Sequence, residues 1–139
     1  MVIHRSKGFS MVELLVAVAV VGILAAIAIP SYNSYTIRGS RLSAQGELLN
    51  LASVQEKIFL NSNAYSPSVT TAYDGTSAGG LGRTSGLTSD GKYTLSLNIT
   101  TPSQTYTLTA TPVSSKSQAN DGNISISENG QRLWNGVAW

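Results

Sequence analysis

The chain has 139 residues, which is enough for one modest domain and an additional apolar segment. It contains no cysteine, which excludes a disulfide framework and a thiolate metal site within this chain. Two of the nine Lys and Arg residues precede Gly8, so the remainder has seven basic and seven acidic side chains. The formal net charge of +2 therefore does not by itself indicate a nucleic-acid-binding protein.

An apolar segment of 21 residues runs from Phe9 to Ile29, and Glu13 is its only charged residue. As a helix it would extend about 31 Å, close to the ~30 Å hydrocarbon core of a bilayer. The basic residues Arg5 and Lys7 predict that the N-terminal flank stays in the cytoplasm while the segment crosses the membrane. A secretory signal peptide and a plain membrane anchor are the alternatives. The first has a shorter apolar core, and neither explains a carboxylate in hydrocarbon.

The residues KGFSMVELLVAVAVVGILAAIAIP, from Lys7 to Pro30, resemble the N-terminal signature of the type IV pilins. The resemblance implies that residues 1–8 are a prepilin leader, removed when a membrane-embedded prepilin peptidase cuts between Gly8 and Phe9. It implies that the same enzyme N-methylates Phe9. It further implies that the inner-membrane pilus assembly machinery moves the subunit from the bacterial inner membrane into an extracellular filament.

The same resemblance assigns Glu13 to filament assembly, where its carboxylate meets the Phe9 amino group of a neighbouring subunit. A low dielectric strengthens such an ion pair, and an unpaired buried charge is penalised, so the pair would set the register between subunits. The stretch from Gly22 to Pro30 is implied to loosen in assembled filaments, consistent with the low helix propensity of glycine. Residues 9–30 are predicted to form the apolar helix of the membrane and the filament core, and Pro30 is predicted to kink this helix or to end it.

Beyond Pro30, residues 31–61 are predicted to form an amphipathic helix. Its apolar face is assigned to residues that recur at helical spacing and to their neighbours: Leu42, Leu49, Ala52 and Phe59, with Leu48, Leu51 and Ile58 alongside. Residues 62–91 are rich in Gly, Ser and Thr, which predicts a long surface loop. In pilins, the segment that joins the helix to the sheet shapes the filament surface.

Alternation of apolar and polar residues predicts strands in KYTLSLNIT, TYTLTATP and NISIS, with a fourth in RLW. The segments TTPSQ, SSKSQANDG and ENG supply the turns between them. Residues 92–139 are therefore expected to form a head with a three- or four-stranded antiparallel meander. The predicted fold class is α+β, with a long N-terminal helix packed on one face of that sheet.

The strings YTLTATP and GNISISENGQRLW, together with Trp139, are similar to a small minor-pilin subgroup of the same family. Related heads close their C-terminal region with a disulfide, whereas Asp121 and Ala138 stand about where those cysteines are expected. Other contacts must therefore hold the tail, and we expect Trp134 and Trp139 to pack on the sheet.

The sequence predicts no catalytic set, phosphate-binding loop, metal site or cofactor, and its single histidine, His4, falls in the leader. The Asp-Gly pairs at Asp74, Asp90 and Asp121 predict turns. A calcium loop around TSDGKY, as in secretion-system pseudopilins, is the alternative for the second pair. The chain is interpreted as a structural protein and a substrate of enzymes, not as an enzyme.

The leading functional interpretation is a minor pilin that polymerises with other pilins into a type IV pilus for adhesion, twitching motility or DNA uptake. A pseudopilin of a type II secretion system shares the N-terminal signature and is the structural alternative. A DNA-receptor pilin for natural transformation is the third interpretation. Its binding surface would be a basic stripe, if the fold brings together Arg83, Lys92, Lys116 and Arg132. Scattered surface charges are the simpler interpretation of the same residues.

Overall fold

The computed structural model describes residues 8–100, 102 and 104–139. Except for Gly8, the leader predicted for residues 1–8 lies outside the described residues, and so do His4, Arg5 and Lys7. The described chain forms two compact units with their boundary between Thr36 and Ile37. The second unit contains the sheet and the hydrophobic core, and it is called the head below.

Helix α1 comprises the 52 residues Met11–Ser62 and includes Pro30. The apolar run therefore stops at Pro30, but the helix does not. The helix ends at Ser62, and the next residue, Asn63, adopts a left-handed φ of 53° and donates its backbone N–H to the carbonyl of Phe59 at 2.7 Å. Asparagine tolerates this conformation and is a common residue just past a helix C-terminus.

The head contains an antiparallel sheet of five strands in sequence order, which is a meander. The strands are β1 (Tyr93–Thr100), β2 (Thr105–Pro112), β3 (Ile124–Ser127), β4 (Arg132–Trp134) and β5 (Val137–Ala138). Four of them coincide closely with the predicted strands. The fifth was not predicted, so the estimate of three or four strands was too low.

Strand β5 follows β4 through a two-residue turn at Asn135 and Gly136. Both residues have positive φ, 50° and 80°, as a type I′ hairpin turn requires. The turn brings Trp134 opposite Val137 and Leu133 opposite Ala138. Asn-Gly is a strong local signal for such a hairpin, and it explains why the chain reverses once more after β4.

The alternation predicted for the strands is confirmed, because Tyr93 and Leu95 of β1 are buried while Thr94 and Ser96 are exposed. The register pairs Leu95 with Ala110, and β2 and β3 add further apolar side chains to the same face. The buried hydrophobic side chains of the strands are those of Tyr93, Leu95, Tyr106, Leu108, Ala110, Ile124 and Ile126. Trp134 and Trp139 are partly buried against this core, as expected.

The face that α1 buries in the head differs from the predicted one. Leu48, Leu51, Ala52 and Ile58 are buried as expected, but Leu42 and Leu49 remain 68% and 37% exposed. Leu42 lies about 160° around the helix from the fully buried Ala44, because each residue turns the helix by about 100°. The prediction failed because the true face contains small and polar residues, which a search for large apolar side chains does not count: Ser40, Ala44, Gln45 and Gln55.

Several side chains of α1 bond the loop between α1 and β1, and one of them is a buried amide. Gln55 is fully buried; its Nε2 donates to the carbonyl of Ser66 at 2.8 Å, and its Oε1 accepts from the Ser66 N–H at 3.0 Å. The Ser66 hydroxyl in turn donates to the carbonyl of Gly79 at 2.7 Å. A Cβ at Gly80 would lie 2.2 Å from the carbonyl oxygen of Thr71, so two segments of the loop approach each other closely.

Candidate functional site

The N-terminal end of α1 carries a capping box that includes Glu13. The Ser10 backbone N–H donates to Glu13 Oε2 at 3.0 Å, and the Glu13 N–H donates to Ser10 Oγ at 3.3 Å. This reciprocal pair satisfies two backbone donors at the first turn, and a carboxylate there also complements the helix dipole. Glu13 thus has a structural role within a single subunit. The pattern Ser-x-x-Glu in the sequence could have predicted it.

Gly8 and Phe9 precede this cap and lie outside helix α1. Both residues are exposed, and the Phe9 side chain is 78% accessible. The predicted cleavage junction is therefore an accessible, non-helical segment next to the helix start.

Gly22 and Pro30 both lie within α1. A Cβ at Gly22 would meet nothing within 4 Å, so no packing in a single subunit requires glycine there. The apolar part of α1 is long and apolar enough to cross a membrane, and none of its spanning window is buried. Large apolar side chains in this part, such as Leu14, Val18 and Ile27, are more than half exposed.

A buried polar cluster around Asp121, here called the Asp121 cluster, ties the β2–β3 connection to other elements of the head. Arg41 donates to the carboxylate through Nη2 and also through Nε at 2.9 Å, and the Tyr93 hydroxyl donates to the same carboxylate. Gln118 Nε2 donates to the Tyr93 hydroxyl at 2.8 Å, and Trp134 Nε1 donates to the Asp121 carbonyl at 2.6 Å. The cluster thereby joins α1, β1 and β4.

These contacts change the pKa values of Asp121 and Tyr93. Burial by itself raises the pKa of Asp121, but the bonds from Arg41 and Tyr93 outweigh burial and hold that pKa below its usual value. Burial raises the pKa of the Tyr93 hydroxyl, and its bond to Asp121 raises that pKa further. At neutral pH the cluster therefore contains an ionised carboxylate and a protonated phenol.

The Asp121 cluster lies where the family resemblance placed a disulfide cysteine. Arg41 was not among the predicted site residues, although it makes the ion pair that anchors the cluster. Arg41 and Asp121 are separated by 80 residues, and no local pattern links them.

The four basic residues predicted to form a stripe fall into three different environments. Arg83 is paired, because its Nη2 lies 2.6 Å from Glu47 Oε2 and 3.0 Å from the Leu87 carbonyl. Lys92 donates from Nζ to the Ser40 hydroxyl at 2.8 Å. The charge of Arg83 is therefore largely neutralised, and Lys92 is held against the helix.

Lys116 and Arg132 are the two exposed members of the group. Lys116 lies beside Lys92, since Val113 donates its N–H to the Lys92 carbonyl and accepts one from Lys116. Arg132 is on β4, three strands away from β1, opposite Ile126. The strand register separates the backbones of Arg132 and Lys92 by about 20 Å. The fold brings Lys92 and Lys116 together and separates Arg132 from them, while Arg83 is engaged by Glu47.

The segment TSDGKY forms a turn that Asp90 stabilises. Its Oδ1 accepts from the Thr88 hydroxyl at 2.7 Å and from the Lys92 N–H at 3.1 Å. Within the part of the chain that the structure describes, no group of three or more His, Cys, Asp or Glu residues is arranged to hold a metal ion.

Two family models match this chain over adjoining ranges. The model described as "Type IV minor pilin ComP, DNA uptake sequence receptor" matches residues 30–125, and the model described as "Prokaryotic N-terminal methylation motif" matches residues 3–29. The first covers most of the head, and the second covers the apolar segment and the residues before it.

Individual relatives agree with these matches. A fimbrial protein of Pseudomonas aeruginosa is 34% identical over 134 residues, which are 93% of this chain and 83% of that protein. The fimbrial protein EcpC of Eikenella corrodens is 33% identical over 132 residues, covering 86% and 79%. A solved type IV pilin from Shewanella oneidensis shares the fold, with a TM-score of 0.52, 21% identity and coverage of 74% of this chain and 97% of that one. The apolar helix with its capping box, the antiparallel head and these similarities together show that the chain belongs to the type IV pilins.

Proposed function

We propose that this pilin is a minor subunit whose head binds DNA after the subunit has joined a pilus. As a type IV pilin it is a structural subunit that assembles with other pilins, anchored first by its apolar helix and later held in the filament. The proposal that the subunit assembles into a filament rests on the exposure of the apolar side chains between Phe9 and Pro30. A surface of this size and apolarity requires lipid or other apolar helices around it.

The proposed maturation begins with the inner-membrane prepilin peptidase, which cuts after Gly8 on the cytoplasmic side and methylates the new Phe9 amino group. The accessible position of this junction, before the helix begins, supports cleavage there. In this proposal the subunit is a substrate of enzymes and a structural protein. The assembly machinery then brings the Phe9 amine of one subunit to Glu13 of another.

The mass of the mature protein tests this maturation. We expect intact mass spectrometry of the subunit from sheared filaments to match a chain that begins with N-methylated Phe9. A mature chain with any other first residue would contradict the assigned junction.

Two observations favour DNA binding by the head. The family model over residues 30–125 is named for a DNA uptake sequence receptor. In addition, Lys116 and Arg132 are exposed and form no ion pair among the residues that the structure describes. Exposed, unpaired cations are the groups that phosphates engage with release of counterions. We propose that both residues contact the DNA backbone, together with Lys92.

The salt dependence of binding tests this role. We expect the full chain in detergent to bind duplex DNA with an affinity that falls steeply as salt is raised. Lys116→Gln and Arg132→Gln should each lower the slope of log K against log salt by about 0.9, the value for one lost phosphate contact. Lys57→Gln, which removes an exposed charge from α1, is the matched control and should leave the slope unchanged. Failure to bind duplex DNA even at low salt would reject the proposal.

A further inference from the structure

A groove of about 440 Å³ lies between the C-terminal strands of the head and α1, and nothing above assigns it a role. Six residues line it: Arg38, Arg41, Leu42, Gln45, Trp134 and Trp139. Its volume is within the range of roughly 300–1,000 Å³ that is typical of pockets for small ligands. Both tryptophans of the chain are therefore in one groove.

The two indole rings are already positioned by neighbouring groups. The Arg41 guanidinium lies 3.6 Å from the centre of the Trp134 ring, and Trp134 Nε1 is bonded to the Asp121 carbonyl. The Arg132 guanidinium lies over the Trp139 ring at 5.7 Å. A ligand would thus meet aromatic surfaces that lose little freedom on binding.

The charge around the groove is positive. Arg41 is neutralised by Asp121, but Arg38 and Arg132 are exposed and have no carboxylate partner in the described part of the chain. No acidic residue lines the groove. The groove therefore suits a ligand that combines flat, apolar groups with negative charges, and nucleic acid has this combination of bases and phosphates.

We infer that this groove binds unpaired bases of DNA, which stack on the tryptophans while Arg38 and Arg132 contact the flanking phosphates. The inference rests on the proposed DNA-binding function and specifies the form of DNA that this part of the head recognises. An indole ring can stack on a base only when the face of that base is exposed, as in a single strand. Bases inside a duplex are covered on both faces by their neighbours. The groove therefore favours single-stranded or frayed DNA over a closed duplex.

Two DNA probes separate these possibilities with the full chain in detergent. One probe is a 12-nucleotide oligothymidylate. The other is a duplex that is closed at each end by a hairpin loop of abasic spacers, so that the duplex exposes no unpaired base. We expect the oligothymidylate to quench the fluorescence of the two tryptophans in a saturable way. Trp139→Leu should weaken oligothymidylate binding about tenfold, within the range for loss of one base–aromatic stack. The same substitution should change the affinity for the closed duplex by less than about twofold.

Control variants distinguish stacking from general effects. Trp139→Phe keeps a flat ring and should bind oligothymidylate nearly as well as the original chain. This variant keeps the inference testable if the Trp139→Leu protein does not fold. Lys116→Gln, away from the groove, should weaken both probes to a similar degree.

Each remaining outcome rejects one of the two proposals or both. One outcome is that the closed duplex binds with the expected salt dependence while Trp139→Leu changes the affinities for both probes equally, or changes neither affinity. In either case the groove does not bind bases, and only the inference fails. If the original chain fails to bind the closed duplex at low salt, the proposed function fails, and if it binds neither probe the inference fails as well. The Trp139→Leu subunit could also fail to enter filaments while its DNA affinity is unchanged. That result would mean that the groove binds another subunit, and it would reject the inference.

Discussion

Replacing Glu13 with Gln is expected to leave the subunit in the membrane at its normal level but to reduce its incorporation into filaments by on the order of a hundredfold. The reason is that glutamine cannot neutralise the Phe9 amino group of the adjacent subunit. An unpaired charge in the membrane interior costs roughly 2.5–3.5 kcal/mol on insertion scales, and 1.4 kcal/mol corresponds to a factor of ten. Quantitative immunoblots of sheared filaments and of membranes measure the two pools.

The capping box makes this variant more informative than an alanine substitution. A glutamine at this position can still accept the bond from the Ser10 N–H, so Glu13→Gln removes the charge and keeps the cap. Ser10→Ala is the matched control, because it removes the hydroxyl that caps the Glu13 N–H and keeps the charge. We expect Ser10→Ala to enter filaments nearly normally. If Ser10→Ala is as defective as Glu13→Gln, or if both assemble normally, the carboxylate does not act as an assembly charge.

Replacing Asp121 with Asn is expected to lower the free energy of unfolding of the head by about 3 kcal/mol. The side chain of Asp121 is 3% exposed and that of Arg41 is 20% exposed, so the substitution leaves a largely buried guanidinium without its anion. Breaking a buried pair from one side costs about 3–5 kcal/mol, and the partial exposure of Arg41 places the effect at the lower end. For a domain of this size the melting temperature should fall by on the order of 10–20 °C.

Thermal denaturation of the full chain in detergent, followed by tryptophan fluorescence, measures this loss. Trp134 reports directly, because its indole N–H is bonded to the Asp121 carbonyl. Asp74→Asn is the control, since Asp74 is an exposed carboxylate that accepts bonds from Thr76 within its own loop. We expect the control to change the free energy of unfolding by about 0.5 kcal/mol or less. Equal stabilities of the Asp121 and Asp74 variants would show that the cluster does not hold the head together.

The same cluster predicts how the head responds to acid. The pKa of Asp121 is lower in the folded head than in the unfolded chain, so the unfolded state binds the proton more readily. Its stabilising contribution is therefore present above about pH 4, the ordinary value for aspartate, and is lost as the pH falls further. The melting temperature of the original chain should drop more steeply between neutral and acidic pH than that of Asp121→Asn. Parallel pH profiles would contradict this assignment.

Several features of this protein are local in sequence and were predictable for that reason. The apolar run from Phe9 to Ile29 and its single carboxylate need no tertiary contact to be recognised. The strands β1 to β3 follow from alternation of period two, because one face of each strand is buried. The capping box and the Asn135-Gly136 turn were not predicted, but they are local as well, since the patterns Ser-x-x-Glu and Asn-Gly specify them.

Features that depend on contacts between distant segments were decided only by the tertiary structure. The helix face could not be read from apolar side chains alone, since Gln55 is buried where a loop residue, Ser66, satisfies its amide. The Asp121 cluster and the groove with both tryptophans likewise join residues about 80 or more positions apart. A charge or an amide can be buried only where a partner arrives to satisfy it, and no local pattern specifies which distant residue that partner will be.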